Sequence, residues 1–185
     1  VEVTAFPLKH RVPAFGYLFR EKEKALNIKK KKIDEYSLSV KQIRAVKGGA
    51  DAMLDSGRSI PNEELTEPPF KRRSFAYCSD TAYYEKNTRL LENVDLLYHE
   101  STFLQRDQLL ARETGHSTAE QAARFALKAK VKHLLIGHFS NRYKQTEEFL
   151  TEARKTFAHT DMAIELEKYA VEPERTDREG DEKSS

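Results

Sequence analysis

A layered α/β domain is the fold class this sequence predicts, and three observations carry it. From about residue 74 onward, short apolar runs alternate with segments of helical periodicity. Three histidines and an aspartate, His10, Asp80, His116 and His138, each lie just past a short apolar run that reads as a buried strand. In open α/β sheets, ligands collect beyond the carboxyl ends of the strands, so these four side chains are expected to face one crevice. Finally, 185 residues with 38% hydrophobic content suffice for one core with an appendage.

Taken in order, residues 1–8 read as a strand, and 15–19 as its neighbour after a turn containing Pro13 and Gly16. Residues 21–73 change character, rich in Lys, Glu, Gly and Pro with weak periodicity, and are expected to form an inserted arm. Within it a short helix is expected at 39–46, a turn at Gly48-Gly49, and a loop through Pro61, Pro68 and Pro69. Regular patterning then predicts strand 75–78, helix 86–93, strand 95–98, helices 103–112 and 118–129, strand 132–136 and helix 145–157. A last strand is expected at 162–170. The polar end, 172–185, has almost no apolar residue and is expected to be disordered. The division is therefore core strands 1–20, arm 21–73, remaining core 74–171 and tail 172–185, with no internal repeat.

Charged residues make up 34% of the chain, and no apolar stretch of about 18 residues occurs, which excludes a helical membrane span. The single cysteine, Cys78, permits no internal disulfide, and no signal peptide pattern opens the chain; a cytoplasmic location is expected. Net charge is +2 but unevenly spread, with basic runs at Lys29, Lys30, Lys31, Lys32 and at Lys71, Arg72, Arg73. Such runs permit nucleic acid as a partner, although a basic run is more often just a solvated face.

Imidazole and carboxylate are the groups a zinc site needs. His10 ends the first strand; Asp80 follows strand 75–78, where it either reaches a metal or caps a turn. His138 follows Gly137, whose lack of a side chain would let the backbone approach a bound ion. Ser140, Asn141, Arg142 and Tyr143 offer phosphate-binding groups in one loop, Arg142 bidentately. Ser117-Thr118-Ala119-Glu120 fits a capping box, which would set His116 before a helix N-terminus suited to an anion, where it could act as general acid. Glu100 could orient His116 by accepting its second N–H. His133 and His159 have no such setting.

Five motifs occur in one order: Phe6-Pro7-Leu8-x-His10 with Gly16-Tyr17, Ser79-Asp80-Thr81, His99-Glu100-Ser101-Thr102-Phe103, Gly115-His116-Ser117-Thr118, and Gly137-His138-Phe139-Ser140-x-Arg142-Tyr143. Together they resemble ribonuclease Z, the tRNA 3′-processing endonucleases of the metallo-β-lactamase superfamily. The resemblance implies an αββα sandwich and two zinc ions, with His10 on one, Asp80 bridging both and His138 on the other. It implies His116, helped by Glu100, as the group that assists the leaving oxygen, and the arm with its lysines as a tRNA-gripping exosite. Arg142 and Tyr143 would contact substrate.

The family signature His-x-His-x-Asp-His does not occur here, and the chain opens without methionine in what reads as mid-strand. The expectation is therefore a C-terminal portion, with four ligands and the general base supplied from a preceding half. Ser79 stands where many members carry Gly, Ser101 where many carry Ala, and the arm lacks a Gly-Pro pair. The expected whole is a homodimeric, zinc-dependent endoribonuclease acting on precursor tRNA. Two alternatives remain open at this point: a non-catalytic RNA-binding fragment or paralogue, and a hydrolase of another phosphodiester.

Overall fold

The computed structural model describes residues 1–175. Along the chain run β1 (Glu2–Pro7), β2 (Phe15–Arg20), β3 (Asn27–Ile28), α1 (Lys30–Glu35), α2 (Val40–Lys47), β4 (Ala52–Met53), β5 (Ser59–Ile60), α3 (Asn62–Leu65) and β6 (Thr66–Glu67). There follow β7 (Ser74–Cys78), β8 (Leu96–Glu100), α4 (Gln108–Thr114), α5 (Ala119–Lys128), β9 (His133–Gly137), α6 (Glu147–Thr156) and β10 (Thr160–Met162). Two compact units result: Val1–Glu21 with Arg73–Val171, and Lys22–Arg72 with the described chain after Val171.

The larger unit is built on a six-stranded sheet of order β1-β2-β7-β8-β9-β10. β1, β2 and β7 pair antiparallel, while β7 to β10 are parallel. Parallel neighbours need crossovers, and the helical segments between them supply these. Because side chains alternate across a strand, Phe6, Leu18, Ala76, Cys78, Leu97, Leu134 and Ile136 share one cluster with Ala122, Ala126 and Phe125 of α5 and Phe149 and Ala153 of α6. Small alanines on α5 let it lie close to the sheet, and each fully buried Phe contributes about 1.5–3 kcal/mol. At the alternate positions Phe15, Tyr17 and Tyr77 stay 55%, 42% and 39% exposed, with Phe19 stacked on Phe75 and Tyr77 on Tyr98.

The smaller unit has its own apolar cluster, Leu38, Val46, Ala52, Ile60 and Leu65. Helix α2 starts at a full capping box, Ser39 with Gln42. Four expectations need correction. Residues 86–93 form a 3-10 turn, Glu85–Thr88, and then irregular turns, because buried Asn87 donates from its side chain to the Pro7 carbonyl instead of facing solvent on a helix. The helix expected at 103–112 starts later: Phe103 makes a parallel bridge to Thr118, and a 3-10 turn, Gln105–Asp107, precedes α4. The last strand is only Thr160–Met162, since Tyr169 bonds back to the Met162 carbonyl and the Ile164 N–H, closing a loop. Of the tail expected to be disordered, residues 172–175 pair with the arm, the Glu174 carbonyl accepting the Lys71 N–H and Arg175 bridging to Phe70; residues 176–185 lie outside the described chain.

Candidate metal and phosphodiester site

Asp80, His116 and His138 each present a ligand atom within 4.8 Å of the other two. Asp80 and His138 sit in the loops that follow parallel strands, and His116 in the turn between α4 and α5. Asp80 comes two residues after β7, and His138 directly after β9. His116 is presented differently: α4 ends at Gly115, whose φ of +81° is a left-handed cap, and the His116 N–H then closes onto the Ala111 carbonyl at 2.8 Å. Asp80 and His138 have φ of +44° and +63°, a region that side-chain-bearing residues rarely occupy. Strain of this kind persists where surrounding structure holds it, here to aim both side chains at one point.

Glu100 is the hub. It is fully buried at the end of β8, and its Oε1 accepts hydrogen bonds from His116 Nδ1 (2.8 Å) and the backbone N–H groups of Thr81 and Ser117 (3.1 Å each). Its Oε2 accepts from the Thr102 N–H and hydroxyl, both at 2.8 Å. Since that hydroxyl hydrogen goes to Glu100, Thr102 Oγ1 must accept from His138 Nδ1, 2.9 Å away. Both imidazoles therefore carry their hydrogen on Nδ1 and turn Nε2 towards Asp80. Burial alone would push the Glu100 carboxyl up, but these donors hold it below the usual range. The same bond raises His116, against the opposing effect of its partial burial.

His10 donates from Nδ1 to the Gly115 carbonyl at 2.9 Å, leaving Nε2 available, and its ring lies 5.0 Å from that of His116. With the His116 and His138 rings 5.4 Å apart, three imidazoles stand in a row. The donor set suits a divalent metal, and one atom argues for it directly. Although 48% of the Asp80 side chain is exposed, its Oδ1 is buried with no hydrogen-bond partner; His138 Nε2 stands 3.4 Å away without bonding geometry. A buried carboxylate oxygen left bare beside imidazole nitrogens is a ligand position.

Other expectations shift. The capping box begins one residue later, with Thr118 as the cap and Gln121 its partner, because Ser117 is drawn into the site: its N–H serves Glu100 and its hydroxyl donates to the Thr81 carbonyl at 2.6 Å. Nor is the α5 N-terminus open to an anion. The Ala119 N–H goes to the Phe103 carbonyl, that of Glu120 to Glu152, and that of Gln121 to Thr118. Gly137 makes room for a tyrosine rather than an ion, since a Cβ there would stand 2.8 Å from Tyr98 Oη. Tyr143 turns inward, donating to Asp107 at 2.5 Å and accepting the Leu104 N–H, whereas exposed Arg142 lies over the Phe103 ring at 5.5 Å. In the arm, Lys29 bonds the Glu63 and Glu64 carbonyls and Lys32 pairs with Glu35 and Glu64, while Lys30 and Lys31 are exposed. Sequence reasoning gave Thr81 and Thr102 no role and Ser117 only that of a helix cap; the signal for all three was a hydroxyl residue one or two positions after each chemical one.

A family model described as a Beta-lactamase superfamily domain matches residues 66–139. A Ribonuclease Z from Bacteroides thetaiotaomicron is 45% identical over 165 residues, 89% of this chain and 52% of that protein. A Ribonuclease Z from Cytophaga hutchinsonii is 43% identical over 172 residues, 92% of this chain and 55% of that protein. The chain thus spans about half the length of the curated relatives it matches. Among solved structures, the metallo-β-lactamase fold protein YhfI from Bacillus subtilis aligns with a TM-score of 0.55 at 17% identity, over 87% of this chain and 46% of that one. Human tRNase Z, short form, aligns with a TM-score of 0.52 at 21% identity, over 92% of this chain and 43% of that one. The chain has the metallo-β-lactamase fold and is similar, along nearly nine-tenths of its length, to the C-terminal part of proteins named ribonuclease Z.

Proposed function

We propose that this chain is the C-terminal portion of a zinc phosphodiesterase that removes the 3′ trailer from precursor tRNA, cutting after the discriminator base and leaving a 3′-hydroxyl. The observation that carries the reading is the convergence of Asp80, His116 and His138, with Asp80 Oδ1 bare between them. His10, Asp80 and His138 hold the metal, two zinc ions in the whole protein, with the remaining ligands from a His-x-His-x-Asp-His segment outside this chain. Zinc so held supplies Lewis-acid activation of water and charge stabilisation at the phosphorus oxygens.

The chain's own residues do the rest. His116, held through Nδ1 by Glu100, which raises its pKa, is the group that in its charged form gives the Nε2 proton to the departing oxygen. Thr102 fixes His138 through its hydroxyl, and Arg142 contacts a substrate phosphate. The arm, with Lys30 and Lys31 exposed, grips folded tRNA by its backbone. The aromatic sheet face of Phe15, Tyr17 and Tyr77 receives the second sheet of the sandwich. The protein acts in the cytoplasm as a homodimer; among the described residues no helix is long and apolar enough to cross a membrane.

The test is metal content and precursor tRNA cleavage in the intact protein. Asp80→Ala and His138→Ala should lose both zinc and cleavage. His116→Ala should keep zinc and lose roughly 100-fold or more in rate. Zinc lost with His116 and kept without His10 would exchange their roles. Hydrolysis of bis(p-nitrophenyl) phosphate without tRNA cleavage would select another phosphodiester, and unchanged zinc in both ligand variants would sink the metal assignment.

A further inference from the structure

Arg11 is a charged residue beside the site that none of the roles above uses. It follows His10 in the bend between β1 and β2, and its side chain is exposed. Its root is packed in place: a Cβ on Gly115 would lie 3.3 Å from Arg11 Cγ, 3.4 Å from its backbone nitrogen and 3.1 Å from His10 Nδ1. The His10–Arg11 turn therefore rests directly on the backbone that presents His116. The charge of Arg11 is felt there, opposing the effect of Glu100 and Asp80 on the His116 imidazole.

Arg142 lies over Phe103, whose ring centroid is 6.3 Å from that of His116. Arg11 is thus rooted against the Gly115 backbone beside His10 and His116, and the Arg142 guanidinium lies over Phe103, which neighbours His116. Guanidinium is the side chain suited to a phosphate oxygen pair, since its planar fork donates two parallel bonds.

We propose that Arg11 is a positioning residue that binds an RNA phosphate adjacent to the one cleaved. This deepens the phosphodiesterase reading and rests on it. With Arg11 on this phosphate and Arg142 on another, the RNA backbone is held at Asp80, His116 and His138. Arg11 takes no part in proton transfer; it sets register and affinity.

The experiment measures binding of a fluorescein-labelled 12-nucleotide single-stranded RNA to the intact protein in EDTA, by anisotropy between 50 and 300 mM KCl. Binding without metal or turnover separates this inference from the catalytic one. Arg11→Ala should weaken binding about ten-fold at the lowest salt and reduce the slope of log affinity against log salt by about 0.7, the value for one phosphate on a single strand. Arg11→Lys should restore the slope but only part of the affinity, because it keeps the charge and loses the fork. Arg89→Ala, remote from the site motifs, should change neither. In zinc-loaded protein, Arg11→Ala should raise KM with kcat within about three-fold. Unchanged affinity and slope in Arg11→Ala would overturn the proposal, as would an equal loss in Arg89→Ala. A wild type that binds the RNA as described but cleaves no phosphodiester would instead overturn the proposed reaction.

Discussion

Glu100→Gln is the sharpest perturbation the site offers. The carboxylate is fully buried and accepts five hydrogen bonds, three on Oε1 and two on Oε2. A glutamine of the same shape has one acceptor oxygen and one NH2. Its cheaper orientation keeps the oxygen facing His116, Thr81 and Ser117, and turns the NH2 towards Thr102. The Thr102 hydroxyl can rotate to accept, but its N–H cannot and is left facing another donor. A buried unsatisfied N–H costs about 1–3 kcal/mol, and three bonds that lose charge assistance cost roughly 0.5–1 kcal/mol each. Burying an amide rather than a charge returns part of this, so the net loss should be about 2–4 kcal/mol, a large share of a typical domain's roughly 5–15 kcal/mol.

Urea unfolding of metal-free protein measures it. With an m-value of about 2 kcal/mol/M, the midpoint should fall by about 1–2 M. Glu85→Gln, whose exposed carboxylate pairs with Lys128, is the control and should leave the midpoint unchanged. A second readout is the His116 titration followed by NMR. Because the carboxylate is the main cause of its raised pKa, the value should drop towards the ordinary histidine range in the variant. A midpoint shift under about 0.3 M, or a His116 titration unmoved, would refute the account of Glu100 as the hub.

Gly137→Ala should cost about 1–3 kcal/mol by crowding Tyr98, and combining it with Tyr98→Phe, which removes the nearest atom, should be clearly less than additive in urea unfolding; full additivity counts against the packing reason. Cys78 is buried and its thiol is pushed up to about 12, so a disulfide reagent should leave native protein unmodified at pH 8 and react on unfolding; rapid native labelling would contradict the core assignment. Asp95 is raised by burial but pulled further down by Lys132 and Ser74, so its folded pKa lies below the unfolded one. The stability it adds is present above about pH 4 and lost as pH falls through the folded value, and Asp95→Asn should flatten that acid limb of the unfolding profile; an identical limb would remove Asp95 from it. Replacing Lys22–Arg72 by a short Gly-Ser bridge is feasible where the Glu21 N–H meets the Arg73 carbonyl at 3.0 Å. It should weaken precursor tRNA binding and flatten its salt dependence while sparing bis(p-nitrophenyl) phosphate hydrolysis, and loss of both together would make the arm part of the catalytic core.

The strands of the parallel half were legible because each is an apolar run buried in the sheet, and β7, β8 and β9 fall within two residues of the expected bounds. What misled was apolar content without burial. Ile164 and Leu166 suggested a long last strand, yet they are 60% and 102% exposed, and β10 ends before them. Leu90 and Leu91 suggested a helix where only Leu91 is buried and Asn87 anchors the turn. The cap of α5 was ambiguous by one position because Ser117 and Thr118 are both good caps; only a tertiary partner, Glu100, decides between them.

The site divides in the same way. That Asp80 and His138 lie close together was legible, because strand ends in such sheets point to one crevice, whereas His116 reaches them from the end of α4. How they are held was not, since the left-handed backbone at Asp80 and His138 leaves no mark in residues other than glycine. Yet the hydrogen bonds of Glu100 explain a pattern the motifs contain. Thr81 follows Asp80, Thr102 follows Glu100 by two, and Ser117 follows His116; all three donate to one carboxylate, and Ser117 closes the ring onto Thr81. The segments of Asp80, Glu100 and His116 are thus each tied through a neighbour's backbone to the same buried charge. A shift of one segment by a single residue would remove a donor from Glu100 as well as misplace a ligand. The motifs around Asp80, Glu100 and His116 therefore satisfy one buried anion together.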